Sequence, residues 1–296
     1  MKKVALIHDL SGLGKCSLTA AIPVISVMGV QACPMPTAVL TAQTGFPSFY
    51  LDDYTERMDM FTCEWKKLKM KFDGIYSGYL ASTTQIEKVL HFLDTFQSKD
   101  SLYLADPVMG DHGKTIPQCD EAFLSGMRKL VSLSSICTPN LTELCLLTGE
   151  SYAGLEPLFT DKEALLSKVQ EISLRLLWEN RYFSDTVPVI QTVLTTGIIH
   201  TVGTNTFIGN LAVTLSHTTN DVQTYYVETP YTGTGFSGTG DLFASVICGG
   251  LVKGLALSEC MELATSFLQP AIEEATVAKT DRNHGVNFEK YLNILL

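Results

Sequence analysis

The 296-residue chain has no two cysteines at C-x-x-C spacing. Its eight cysteines stand in apolar or helical surroundings, so neither a zinc ribbon nor a disulfide framework is indicated, and buried free thiols are expected. A basic excess is also missing. With 21 Lys+Arg against 31 Asp+Glu the formal charge is −10, without blocks of like charge, which argues against nucleic acid or anionic membranes as partners. Long apolar runs are absent too: in the opening "MKKVALIHDLSG" only residues 4–7 are apolar before His8, far short of a signal-peptide core or a membrane span, and a cytoplasmic location is the expectation. No low-complexity tract, internal repeat or Pro/Gly/Ser linker divides the chain, and at 46% hydrophobic and 18% charged it reads as one globular domain over residues 1–296.

What is present is a rhythm. Short β-rich runs ("VALIH", "VQACPMPTAVL", "GIYSGYL", "LYLADP", "SSICTP") alternate with helix-length amphipathic stretches around 15–28, 54–71, 83–97 and 119–131, the pattern of βαβ units and a mostly parallel sheet. After a helical pattern over 161–180 the character changes. "VIQTVLTTG", "IIHTVG", "TFIGNLAVTLSH" and "VQTYYVETP" follow closely, with turn-like "TGII", "GTNT" and "TTND" between them, predicting an antiparallel extension. Two helices, from about 239 to 252 and from 258 to about 278, close the chain.

Four strands end in polar turns, "HDLSGLG", "SGY", "DPVMGDHGKT" and "TPNLTE"; in an open parallel sheet such ends converge on one edge, where ligands bind. Gly and Asp are also ordinary βα-turn residues, and recurrence is what raises the functional reading. Within "YTGTGFSGTGDLFAS", Gly233, Gly235 and Gly238 have G-x-G-x-x-G spacing. A dinucleotide site, however, needs a second strand ending in an acid about 20 residues on, and the available Glu259 and Glu262 lie in a helical pattern. "DLSGLGKCS" likewise fails as a P-loop, with Asp9 where glycine and Cys16 where Ser or Thr is required. What fits "GTGDLFA" is an anion hole: Gly238 and Gly240 let successive N–H groups point outward at a helix start, with Asp241 in the first turn. A carboxylate beside a transferring phosphoryl group suits a base that takes a hydroxyl proton, although an aspartate there also serves as a helix cap or dipole partner.

These residues resemble the ribokinase-like small-molecule kinases, and within them the pyridoxal kinases. "FSGTGDLFAS" is similar to the family's anion-hole and base motif, "DPVMGD" and "TPNLTE" to its phosphate/metal and nucleotide motifs, and "SGY" and "TAQTG" fall where its substrate pocket lies, in the family's order over almost the whole chain. The resemblance implies a three-layer α/β/α sandwich, ATP and Mg²⁺, with a monovalent cation left open, phosphorylation of a B6 vitamer's hydroxymethyl group, and a homodimer. Asp241 is then the base, with the N–H groups of Gly238, Thr239 and Gly240 on the γ-phosphoryl group. Asp106 and Glu143 position Mg²⁺ largely through its waters; Asn140 and Thr195 face the triphosphate, with Asp111 and Thr138 near it. Asp106 also reads as a turn residue before Pro107, and Asn140 as a helix cap. Thr44 and Tyr79 resemble the ring contacts, Tyr79 also suiting a core. One departure stands out: "HDLSG" is closer to the Asp-x-Ser-Gly of hydroxymethylpyrimidine kinases than to Gln-Ser-His, so Asp9 or Ser11 stands in for a serine contact, and a pyrimidine kinase, or a non-catalytic sensor, is the alternative. Loop 110–118 is the candidate flap.

Overall fold

The computed structural model describes residues 1–180 and 191–296, which fall into two compact units, 1–102 with 232–296 and 103–231. The first unit opens with β1 (Lys3–Ser11), buried along nearly its whole length on both faces, as a central strand of a parallel sheet must be. α1 (Ser17–Val27) and β2 (Gln31–Leu40) follow, then β3 (Leu51–Asp53), α2 (Thr55–Lys67), β4 (Gly74–Ser77) and α3 (Thr83–Phe96). The strand order is β4-β1-β2-β3, with β1 parallel to both neighbours and β3 antiparallel at the edge. Pro34 and Pro36 sit in β2 without breaking it, because β3 pairs only with residues 38–40 and leaves the proline stretch an open edge. The β1–β2 register slips between His8 and Leu10, at Asp9.

The second unit begins at Tyr103, in β5 (Leu102–Ala105). A small hairpin of β6 (Gly110–Asp111) and β7 (Lys114–Thr115) comes next; its turn residues His112 and Gly113 have φ of 49° and 74°, a two-residue turn suited to a tight hairpin. The expected flap is thus a hairpin over part of its length. α4 (Glu121–Ser132), β8 (Ile136–Cys137), α5 (Leu141–Thr148), α6 (Tyr152–Leu155) and α7 (Lys162–Glu179) lead to β9 (Thr192–Val202), β10 (Asn205–Leu215) and β11 (Val222–Pro230). Here the order is β11-β10-β9-β8-β5, parallel from β5 to β9 and antiparallel from β9 to β11, the expected extension.

One expected turn is not a turn. "TGII" lies inside the continuous strand β9, where Gly197, at φ 67°, forms a bulge: the register slips between Gly209 and Leu211, and Asn210 Oδ1 accepts the Gly197 N–H at 3.1 Å. A glycine at positive φ serves a turn or a bulge equally, and the partner strand decides which. Residues 189–190 of the predicted strand "VIQTVLTTG" lie outside the described residues. Returning to the first unit, α8 (Thr239–Lys253) and α9 (Leu257–Val277) pack on each other and α8 on α1, while α2 packs with α3 and on β2, so both groups of helices cover the strands.

Candidate active site

In the first unit the site is built around the start of α8. Gly238 has φ 82°, a left-handed conformation, and an added Cβ would stand 2.1 Å from the carbonyl oxygen of Lys15, so glycine is required on both counts. The first intrahelical bond runs from the Leu242 N–H to the Gly238 carbonyl at 2.9 Å. The N–H groups of Thr239, Gly240 and Asp241 therefore precede the helix's own ladder, and Gly240 is exposed. The preceding loop is held by the Ser237 N–H on the Arg282 carbonyl (3.0 Å) and by the Thr239 hydroxyl on the Phe236 carbonyl (3.0 Å).

Asp241 belongs to two helix starts at once. Its Oδ2 accepts the N–H of Ser17, the first residue of α1, at 2.9 Å, and its Oδ1 accepts from His8 Nε2 at 2.9 Å. Its side chain remains 15% exposed, so the carboxylate is held without being sealed. Ser17 and Lys15 both adopt left-handed φ, 55° and 52°, local strain that the surrounding bonds must sustain. Behind His8 lies Asp9, whose Oδ1 is 3.0 Å from Nδ1 and whose Oδ2 accepts the Ser11 hydroxyl at 2.8 Å. Consecutive side chains on a regular strand point to opposite faces; the irregular register at Asp9 is what lets these two meet. Burial alone would make the imidazole less basic, but the charge and hydrogen bond of Asp241, and then those of Asp9, outweigh it and push His8 up to about 10.

Of the residues expected near the substrate, Tyr79 is half-buried just beyond β4, its N–H 3.2 Å from His8 Nδ1, and Thr44 is exposed in the loop after β2. Asp9 and Ser11 are buried and bonded to each other. The sequence reading missed His8 and Gln43. Gln43 Nε2 reaches the Ser237 hydroxyl (3.3 Å) and Asn283 Oδ1 (3.2 Å), tying the loop that carries Thr44 to the loop ahead of α8. Both residues stand inside quoted motifs, which was the available signal. Lys15, just ahead of α1, donates to Asn287 Oδ1 (2.8 Å) and Glu289 Oε2 (2.9 Å).

The second unit gathers four more expected residues beyond the ends of β5 and β8. Asn140 caps α5: its Oδ1 accepts the Glu143 N–H at 3.0 Å while Glu143 Oε2 accepts the Asn140 N–H at 2.8 Å, a reciprocal capping box. Asn140 Nδ2 also donates to the Gly110 carbonyl at 2.8 Å, anchoring the hairpin. Glu143 Oε1 accepts the Met109 N–H at 3.1 Å, and Asp106 Oδ1 accepts the Thr138 hydroxyl at 3.0 Å. Burial, then the charge of Asp106, hold the Glu143 carboxyl well above the usual carboxylate range. Asp111 lies exposed on the hairpin and accepts the His112 N–H. Thr195 is completely buried, its hydroxyl without a hydrogen-bond partner among the described residues, so it does not present that hydroxyl to solvent; Thr196, half-buried, follows it.

Two carboxyl groups whose charges repel, with the Thr138 hydroxyl on one of them, fit a hydrated Mg²⁺, which would relieve that repulsion. Both Glu143 oxygens already hold amides, so contact through water suits it better than direct ligation. Among the described residues no group of three or more His, Cys, Asp or Glu forms a closed metal cage.

The first unit's amides and aspartate suit a phosphoryl group and a hydroxyl acceptor, and the second unit's oxygens a hydrated cation; on an α/β fold this is the chemistry of the small-molecule kinases. No family model matches the chain. A protein of Bacteroides thetaiotaomicron provisionally named a phosphomethylpyrimidine kinase is 38% identical, with TM-score 0.85 over 99% of this chain and 93% of that one. The pyridoxal kinase of Lactobacillus plantarum is 25% identical, with TM-score 0.80 over 100% and 97%. Among curated relatives, the pyridoxal kinase PdxY of Actinobacillus pleuropneumoniae is 30% identical over 100 residues, so the matched stretch spans about a third of each chain, 33% of this one and 35% of the relative. The chain belongs to the ribokinase-like kinases, in the branch that holds the pyridoxal and phosphomethylpyrimidine kinases, and it has their three-layer α/β/α fold.

Proposed function

We propose that the chain is an ATP-dependent kinase that phosphorylates the hydroxymethyl group of a B6 vitamer. The observation that carries this reading is Asp241, bonded at the start of α1 and lying in the first turn of α8, beside amides that the α8 ladder leaves free. In the reaction Asp241 takes the proton of the substrate hydroxyl, whose oxygen forms a bond to the γ-phosphorus while the bond from that phosphorus to the β–γ bridging oxygen breaks. ADP leaves with the electron pair. The N–H groups of Gly238, Thr239 and Gly240 stabilise charge on the transferring group, where a fixed donor contributes most. In the second unit Asp106 and Glu143 would hold Mg²⁺ through water, and bound there it would supply neutralising charge for the phosphates. Asn140, Thr138 and Asp111 line the nucleotide side; Thr195 enters this role only if its buried hydroxyl turns outward. Thr44 and Tyr79 serve the substrate ring.

B6 specificity is supported by the curated pyridoxal kinase relatives and by a second crystal form of the Bacteroides thetaiotaomicron protein, 36% identical and obtained with pyridoxal. A hydroxymethylpyrimidine kinase is the second reading, favoured by that protein's name and by Asp9-Leu10-Ser11-Gly12. Assays with ATP and Mg²⁺ against pyridoxal, pyridoxine, pyridoxamine and hydroxymethylpyrimidine decide between them: turnover of a B6 vitamer well above the pyrimidine is expected, and the reverse preference refutes the first reading. Asp241→Asn is expected to lower kcat by about 10²- to 10⁴-fold while sparing ATP affinity; normal turnover would remove the base, and a sensor would show binding without turnover in the parent protein. We also read the chain as one kinase domain that works as a cytoplasmic homodimer. No helix among the described residues is long and apolar enough to cross a membrane.

A further inference from the structure

Two consecutive side chains of β1 and one 233 positions on from His8 form one largely buried line: Asp9 Oδ1, His8 Nδ1 and Nε2, and Asp241 Oδ1, with separations of 3.0 and 2.9 Å. We propose that His8 is a positioning residue for the base, its Nε2–H fixing the plane of the Asp241 carboxylate while Asp9 fixes the ring from behind. The inference rests on the reading of Asp241 as the base.

The geometry carries it in four ways. First, an aspartate carboxylate rotates broadly about its last torsion, but here Oδ1 is pinned by His8 and Oδ2 by the Ser17 N–H, so that rotation is stopped. An ionised carboxylate has about four acceptor positions; two are filled, and the rest stay available to a hydroxyl. Second, the proton on Nε2 is specified whichever charge state the ring adopts. The Asp9 N–H approaches Nδ1 at 3.0 Å and suits a neutral ring protonated at Nε2, while the Asp9 carboxylate suits a ring protonated on both nitrogens; the Tyr79 N–H lies 3.2 Å from Nδ1 and 3.4 Å from Nε2 and does not choose between them. In both cases Nε2 donates to Asp241.

Third, the fold reserves the space. A Cβ on Gly78 would lie 2.1 Å from both Nε2 and Cδ2 of His8, so the glycine of "SGY" is what lets the imidazole lie where it does. Tyr76 meets the ring edge-on, with centroids 6.2 Å apart. Fourth, the ring is 3% exposed in the free chain. It is therefore placed to act through Asp241 rather than on a substrate.

The test compares His8→Leu, His8→Gln and Asp241→Asn with the parent enzyme under saturating ATP, Mg²⁺ and the preferred vitamer. Leucine removes the donor, and kcat is expected to fall about 10- to 100-fold, the cost of a misplaced reacting group, with KM for ATP changed less than about twofold. Glutamine can return an N–H to the Nε2 position and is expected to restore most of the loss. If Asp241→Asn is inactive while His8→Leu keeps the parent kcat, the positioning role is wrong and the base stands. If Asp241→Asn turns over normally, the base itself is wrong and the proposal falls with it. Should His8→Leu not fold, ¹⁵N-histidine spectra of the parent and Asp241→Asn decide. A protonated Nε2 resonance that shifts in the asparagine variant supports the contact, and one that is unprotonated or unmoved overturns it.

Discussion

Replacing Gly238 with alanine separates a cradle built by backbone geometry from a merely glycine-rich loop. At φ 82° an alanine side chain meets its own carbonyl, a cost of about 1–2 kcal/mol for an L-residue. The new Cβ would also lie 2.1 Å from the Lys15 carbonyl oxygen, and an ordinary contact at 3.4 Å asks for a shift of about 1.3 Å. That carbonyl is backbone, in the strained turn whose Ser17 N–H holds Asp241, so the shift is taken either by the amides at the start of α8 or by the Asp241 bond. The expected result is a loss of roughly 2–4 kcal/mol of stability, read as a melting temperature lower by several degrees. A fall of about 10²-fold or more in kcat accompanies it, the scale for displacing an anion-hole donor. Gly240→Ala is the control for stability: its Cβ would meet nothing within 4 Å and its φ is not positive, so its melting temperature should stay level or rise slightly, as alanine is the better helix former by about 1 kcal/mol. Differential scanning fluorimetry on the two variants checks the contrast. Equal melting temperatures would refute the geometry assigned to this loop.

Further outcomes follow from individual contacts. His8, raised in the folded protein from 6.5 to about 10, contributes stability that is fully present below the unfolded value and is lost as pH rises through the folded one. Buried thiols such as Cys248 and Cys260, both raised to about 12, add a fall of the same sign at alkaline pH, so the His8 share is the difference between parent and His8→Gln in urea unfolding at pH 6, 8 and 10. A slope equal in both proteins would contradict it. Asn140→Ala removes both the cap of α5 and the anchor on the Gly110 carbonyl; a loss of about 1–2 kcal/mol is expected, with faster proteolysis at the hairpin than a cap loss elsewhere produces. Asp241→Asn and the substrate panel test the reaction itself, and unchanged protease sensitivity of residues 110–118 with nucleotide bound would count against a flap.

Much of this protein was legible in local sequence, for reasons that are themselves local. The run "VALIH" announces a strand, and β1 is one; the glycines of "GTGD" announce a backbone turn at a helix start, and Gly238 makes it at φ 82°. The cap in "TPNLTE", Asn140 followed three residues later by Glu143, is a matter of one helical turn. The turn expected at "TGII" was misjudged because the same glycine conformation serves a bulge once Asn210 lies opposite it. Thr195 gave no sign of its burial, since a strand's packed face depends on what covers it.

By itself, then, the sequence determined the alternation of strands and helices, the amide cradle and the position of Asp241 within it, because backbone conformation and capping act over a few residues. Only the tertiary structure decided which side chain would hold that aspartate. His8 and Asp241 are 233 positions apart, and a 2.9 Å hydrogen bond between them exists only after β1, β4, α1 and α8 have packed and Gly78 has left room for the ring.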